Sequence, residues 1–202
     1  MPEAMQITRS TLYASRDDFR RIFDEDMSGL YLLSFLLTAD REKAEQCFVS
    51  GLEDAVEGNP VFKEWARSWA RRAIIQNAVR VIHPRPVEGG SRLSPASVNG
   101  NGKTPPAEQQ VEIAAVLALE PFDRFVYVMT VLERYSDQEC SVLLGCARRD
   151  VLTARSRAFQ QIGSAMESHY GQMPNASSQN PALHESTSVF DLLVAPRLAT
   201  SA

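Results

Sequence analysis

Apolar residues recur along this chain at three- and four-residue steps, the period that predicts helices. Ser15 followed by Asp18 suits a helix start, and the stretch from Leu30 to Leu37 is apolar on nearly every side, as expected of a central buried helix. Asp40 is placed to cap a helix over 41–57 whose stripe is Ala44, Cys47, Phe48 and Leu52, and Gly58-Asn59-Pro60 should end it. Phe62, Trp65, Trp69 and Ala73 mark the next helix, widened by Ala66, Ala70 and Ile74. A tryptophan pair four residues apart reads first as core and second as a ligand platform.

Between residues 83 and 110 the pattern stops. This stretch holds five of the eleven prolines, four glycines and no aromatic residue, which predicts a flexible linker. It separates an N-terminal helical domain, 10–82, from a C-terminal one, 111–170. Residues 171–202 are rich in Ser, Asn and Pro and are expected to be a disordered tail, with 189–194 an apolar island in it. In the second domain Phe122, Phe125, Val126, Met129 and Leu132 mark one helix, with Pro121 in its first turn. Ser136 and Glu139 have capping-box spacing, and Gly145 suits a left-handed helix stop. Arg148 then opens a third helix with Val151, Ala154, Ala158, Ile162 and Ala165 inward. Helix, tight turn, helix is the arrangement of a helix-turn-helix, in which the head of the second helix enters the major groove. Ordinary helical bundles contain the same pieces.

The expected fold is therefore all-α, two small helical domains joined by a flexible linker. With 202 residues, 44% of them hydrophobic and 23% charged, composition excludes collagen-like, wholly disordered and disulfide-scaffold readings. No apolar run approaches the roughly 18 residues that cross a bilayer, and the first residues lack a signal-peptide pattern, so a cytoplasmic protein is expected. Cys47, Cys140 and Cys146 are an odd set without a Cys-x-x-Cys pair and read as small buried hydrophobes; His83, His169 and His184 lie far apart, so no metal or cofactor is expected. Glycine-rich phosphate loops, nucleophile elbows and convincing carboxylate pairs are missing too, which argues against an enzyme.

Charge is segregated beneath a net value of −4. From Asp17 to Glu57 there are eleven acidic and four basic residues. From Lys63 to Arg80 there are five basic and one acidic, and from Arg148 to Arg157 four and one. The two basic segments are either solvated helix faces or local anion sites.

Leu119-Glu-Pro-Phe-Asp-Arg124, Tyr135-Ser-Asp-Gln-Glu139, Leu143-Leu-Gly145, Val151 and Arg157-Ala158 resemble the promoter-binding helix-turn-helix, region four, of bacterial sigma factors of the extracytoplasmic-function group. Leu36-Leu-Thr38, Asp40, Ala44-Glu45, Phe62, Trp65, Ala70-Arg71 and Arg80 resemble region two of that group. Together the matches span about 120 residues in the family's order. The resemblance implies a subunit that directs core RNA polymerase to promoter DNA, with an anti-sigma factor as a further partner of such proteins. It implies that Ala44, Glu45 and Gln46 meet the polymerase clamp. The helix carrying Arg67, Arg71, Arg72 and Arg80 would contact the promoter near the start site and help open the strands, and the helix from Arg148 would read the upstream element. Arginine presents a rigid fork to a phosphate or a guanine edge, so Arg148 and Arg149 are the preferred readers, with Thr153 a further candidate. Arg155 and Arg157 either set position on the DNA backbone or pair within the fold. The chain departs from the family's usual residues at Gln46, Val49, Ser50, Arg72, Gln76, Val79 and Ala154. A second reading is therefore a divergent sigma-like DNA-binding regulator that does not itself support initiation.

Overall fold

A computed structural model of the chain describes residues 12–86 and 107–170. The expected tail, its apolar island, His184 and most of the expected linker lie outside the described residues. Within them the protein is all-α, and its only strand-like feature is an isolated antiparallel bridge between Tyr13 and Phe62. The chain divides into two compact units, Met1–His83 and Pro84–Ala202.

Helix α1 (Arg16–Glu25) starts where Ser15 and Asp18 satisfy each other. The Ser15 hydroxyl accepts from the Asp18 amide at 3.1 Å, and the Asp18 carboxylate accepts from the Ser15 amide at 2.9 Å. Asp26 is the hinge to α2 (Met27–Thr38), which buries Leu30, Leu33, Leu36 and Leu37. Two polar residues share that buried surface. Ser34 donates to the Leu30 carbonyl and Thr38 to that of Ser34, so neither hydroxyl is left unsatisfied. Ala39 turns through a left-handed conformation (φ 53°), and the Asp40 side chain accepts from the Lys43 amide to start α3 (Arg41–Glu57).

Helix α4 (Ala66–Ile82) follows a single 3-10 turn, Lys63–Trp65, and lies close against α3. Small residues make the approach possible: α3 buries Ala44, Cys47, Gly51 and Ala55, α4 buries Ala66, Ala70, Ala73, Ile74 and Ala78, and Gly51 stands directly against Ile74. Phe48 and Leu52, expected on the inner stripe, are only half-buried because the closest positions exclude large side chains. Phe48 instead flanks the core, with its ring edge-on to Phe23 at 5.4 Å and to Tyr31 at 6.4 Å.

In the second unit α5 (Ala107–Leu117) begins inside the segment expected to be linker, since 107–117 holds neither the prolines nor the glycines of the stretch before it. Arg124 is buried and donates to the carbonyls of Leu117 and Leu119, which closes the end of α5. Burial pushes its guanidinium down to about 10, partly opposed by Glu120, so it stays charged at neutral pH. The expected helix over Phe122 to Leu132 is interrupted: α6 (Pro121–Tyr127) widens into a π-turn over Val128–Leu132, and Glu133 donates to the Val128 carbonyl at 2.9 Å. Its five predicted core residues are all buried.

Helix α7 (Asp137–Leu144) begins at the Ser136–Glu139 capping box and stops at Gly145 (φ 63°). The Gly145 and Cys146 amides both return to the Ser141 carbonyl. Helix α8 (Arg148–Tyr170) buries Val151, Ala154, Ala158 and Ile162. Ala165, expected inward, is exposed. Cys47 and Cys140 are buried as expected, and Cys146 is half-buried.

Candidate nucleic-acid interface

The first basic segment is compensated by acids of its own unit. Lys63 Nζ stands 3.5 Å from Asp18, Arg67 Nη2 2.6 Å from Glu25, and Arg71 Nη1 3.0 Å from Asp26. Arg80 Nη1 reaches Asp54 at 2.8 Å, and the buried Asn77 amide donates to the same Asp54 oxygen at 3.0 Å. Arg71 is buried, so its role is to tie α4 to the α1–α2 hinge rather than to meet a phosphate. Arg72 is half-buried and makes no ion pair among the described residues.

Trp65 corrects the reading of the tryptophan pair as core. It lies on the 3-10 turn ahead of α4, is 56% exposed, and meets Phe62 edge-on at 5.2 Å. Phe62 in turn stacks on Tyr13 at 4.7 Å. Trp69 is half-buried. At 100° per residue Trp69, Arg72 and Gln76 fall on one side of α4, away from its buried alanines, and Trp65 stands on the turn ahead of them. The result is an aromatic surface with one uncompensated cation and an amide beside it, chemistry that suits stacking on unpaired bases.

The second basic segment opens α8. Arg149 is 89% exposed, held only by a 3.6 Å contact with the neighbouring Asp150. Arg148 is exposed and 3.9 Å from Asp137, whose other oxygen takes a 2.6 Å bond from Arg155. Thr153 is exposed and its hydroxyl donates to the Arg149 carbonyl, leaving the oxygen able to accept. Arg157 turns away to bond Asp123 with two nitrogens, so of its two expected alternatives the structure has the internal pair. Arg148, Arg149 and Thr153 thus share the outer side of the first turns of α8, joined by Leu152, which is 43% exposed. Sequence reasoning missed Leu152, although it lies one residue, and so 100°, past the inward Val151. An apolar side chain there suits a thymine methyl.

Of the three residues expected to meet the polymerase clamp, Ala44 is fully buried and serves packing, whereas Glu45 and Gln46 are exposed. Val49, one turn further along α3, is also exposed. Among the described residues no group of three His, Cys, Asp or Glu is placed to hold a metal ion, and no helix is long and apolar enough to cross a membrane. No protein-family model matches the chain, and no curated protein matches it.

Proposed function

We propose that the chain is a sigma-like transcription initiation subunit of the cytoplasm, which brings core RNA polymerase to promoter DNA and has no catalytic activity of its own. The observation that carries this reading is the head of α8. A capped helix, a left-handed glycine turn and a second helix present Arg148, Arg149, Leu152 and Thr153 outward together, a set able to enter a major groove. The Trp65, Trp69 and Arg72 surface of α4 supports a role in holding separated strands. Exposed Glu45 and Gln46, with Val49 beside them, support a protein partner at α3. Reconstitution of the full chain with purified core polymerase on promoter templates tests this: a stable complex and run-off transcripts are expected, and failure to bind core polymerase overturns it.

One observation favours a second reading, a DNA-binding regulator that does not support initiation. Arg67, Arg71 and Arg80 are paired with acids of the same unit, which leaves Arg72 as the α4 arginine best able to take a phosphate. Duplex binding by the full chain without any complex with core polymerase would establish this second reading in place of the first.

A further inference from the structure

Lys63, Arg67 and Arg71 stand at successive steps of four, and Asp18, Glu25 and Asp26 of α1 and its hinge answer them in order. The innermost pair is structural: the Arg71 and Asp26 side chains are 9% and 24% exposed. The outer two differ. Lys63 and Arg67 are each about half exposed, and so is Glu25. Arg21 joins the two outer acids, with Nη2 2.8 Å from Asp18 and Nε 3.9 Å from Glu25. Asp18 is 16% exposed and fixed by the Ser15 cap, so in that pair it is Lys63 that can turn away; ion pairs with a half-exposed cation hold weakly, and a correctly placed phosphate can draw either cation from its carboxylate. Hydrogen bonds from the Ser15 amide and hydroxyl keep the Asp18 carboxyl below its ordinary range, so it remains a full anion at any physiological pH.

Resting on the reading that α4 meets nucleic acid, we propose that Asp18 and Glu25 are competitors in cis for phosphate: they occupy Lys63 and Arg67 and so hold this face away from arbitrary polyanions. The physical basis is counterion release. A cation already neutralised by a carboxylate gains little by moving to a phosphate, so non-specific binding loses its usual electrostatic drive. A strand also held by stacking or by the second unit can still displace the acids. The chain then gives up general affinity for discrimination, through a repulsive element directed at the wrong partner.

The test uses the full chain and a fluorescein-labelled single-stranded oligonucleotide of mixed sequence, titrated at several salt concentrations. Three proteins are compared: wild type, Asp18→Asn/Glu25→Gln, and Glu53→Gln/Glu57→Gln, which removes the same charge from exposed acids of α3. Glu25→Gln alone is a fourth, because Glu25 takes no part in the Ser15 cap. The Asp18/Glu25 variant should bind about three- to tenfold tighter than the α3 control, with the single variant between them. Its plot of log K against log salt should be steeper by about one to one and a half, the value for two more single-strand phosphate contacts. Adding Lys63→Ala and Arg67→Ala should abolish the gain. A variant that matches the α3 control in affinity and slope overturns the proposal, as does a gain that survives loss of Lys63 and Arg67. If neither wild type nor variants bind the oligonucleotide even at low salt, the nucleic-acid reading of α4 falls as well, so the two failures are told apart.

Discussion

Arg157 on α8 bonds Asp123 on α6 with two nitrogens, Nε to Oδ2 at 2.9 Å and Nη2 to Oδ1 at 2.6 Å, and the carboxylate beneath it is only 2% exposed. The parallel bonds hold the two helices in register and raise the guanidinium affinity for its proton, mainly through the hydrogen bonds themselves. Removal of the arginine leaves a buried carboxylate without its cation, whereas removal of the acid leaves an arginine that is already 37% exposed and can turn to water. Arg157→Met should therefore cost about 3 kcal/mol and Asp123→Ala about 1–2 kcal/mol. The double variant should cost less than the two added together. Urea unfolding followed by circular dichroism measures all three, and equal single costs would contradict the asymmetry.

Two helical glycines should respond in opposite directions to an added side chain, alanine at Gly163 and valine at Gly51. A Cβ on Gly51 would meet Ile74 Cδ1 at 2.7 Å and the Ile74 backbone nitrogen at 3.3 Å, so α3 and α4 would have to separate slightly. A Cβ on Gly163 meets nothing within 4 Å. Gly163→Ala should stabilise the chain by roughly 0.5–1 kcal/mol, the ordinary gain in helix propensity. At Gly51 the same gain opposes the clash, and Gly51→Val, which adds volume without that gain, should lose about 1–3 kcal/mol. Thermal midpoints that move in the same direction for Gly163→Ala and Gly51→Val would refute this account of the helix interface.

What the sequence made legible was local. Both capping boxes, Ser15 with Asp18 and Ser136 with Glu139, and the left-handed stop at Gly145 are written within four residues of the atoms they join, so composition and spacing suffice to find them. Periodicity finds the inner stripe of α8 apart from Ala165, and on α4 it finds the small residues Ala66, Ala70, Ala73 and Ile74 but wrongly adds Phe62, Trp65 and Trp69, none of which is buried. The state of the arginines was not legible. Arg67 finds Glu25, Arg80 finds Asp54 and Arg157 finds Asp123 at separations of 42, 26 and 34 residues, which no periodicity encodes. Trp65 was misread for a related reason: it stands on a 3-10 turn, so the 3.6-residue period that carries Trp69 does not extend to it.

Alkaline pH should destabilise the chain through its buried thiols. Burial pushes Cys47 up from 9.0 to about 11 and Cys140 to about 12, the latter helped by Asp137 and Glu139. A folded-state value above the unfolded one means that the stabilising effect is complete below pH 9 and is lost as pH rises from there towards the folded values. The urea midpoint should hold from pH 7 to 9 and fall between 9 and 10. The same burial predicts the order of reaction with a disulfide reagent at pH 8. Cys146, half-buried, should react in the folded protein, and Cys47 and Cys140 only at the rate of unfolding. Prompt reaction of all three thiols would show that these sites open far more readily than their packing implies.

Trp65→Ala offers a clean separation of stability from binding. The ring is 56% exposed and its one recorded aromatic contact is edge-on to Phe62, so its loss should shift the thermal midpoint little. If its free face stacks on an unpaired base, affinity for a single-stranded oligonucleotide should fall by about 1–3 kcal/mol, and Trp65→Phe should recover part of it. An unaltered affinity beside an unaltered midpoint would remove Trp65 from the binding surface.

At the head of α8 neighbouring arginines should fail in different ways. Arg149 is the most exposed, and a 3.6 Å contact with Asp150 is all that restrains it, so Arg149→Ala should leave stability unchanged. If its fork meets a base edge, duplex affinity should drop by about 1–3 kcal/mol for the preferred sequence and much less for others, which narrows the specificity ratio. Arg148 leans 3.9 Å from Asp137, which Arg155 already bonds at 2.6 Å, so under the proposed function we assign it to the DNA backbone rather than to a base. Arg148→Ala should weaken binding to all sequences alike and reduce the salt slope by about one. Competition titrations of the full chain against selected and random duplexes distinguish these outcomes. Uniform weakening by Arg149→Ala would move it from base reading to backbone contact, and no weakening by either variant would remove the head of α8 from the interface.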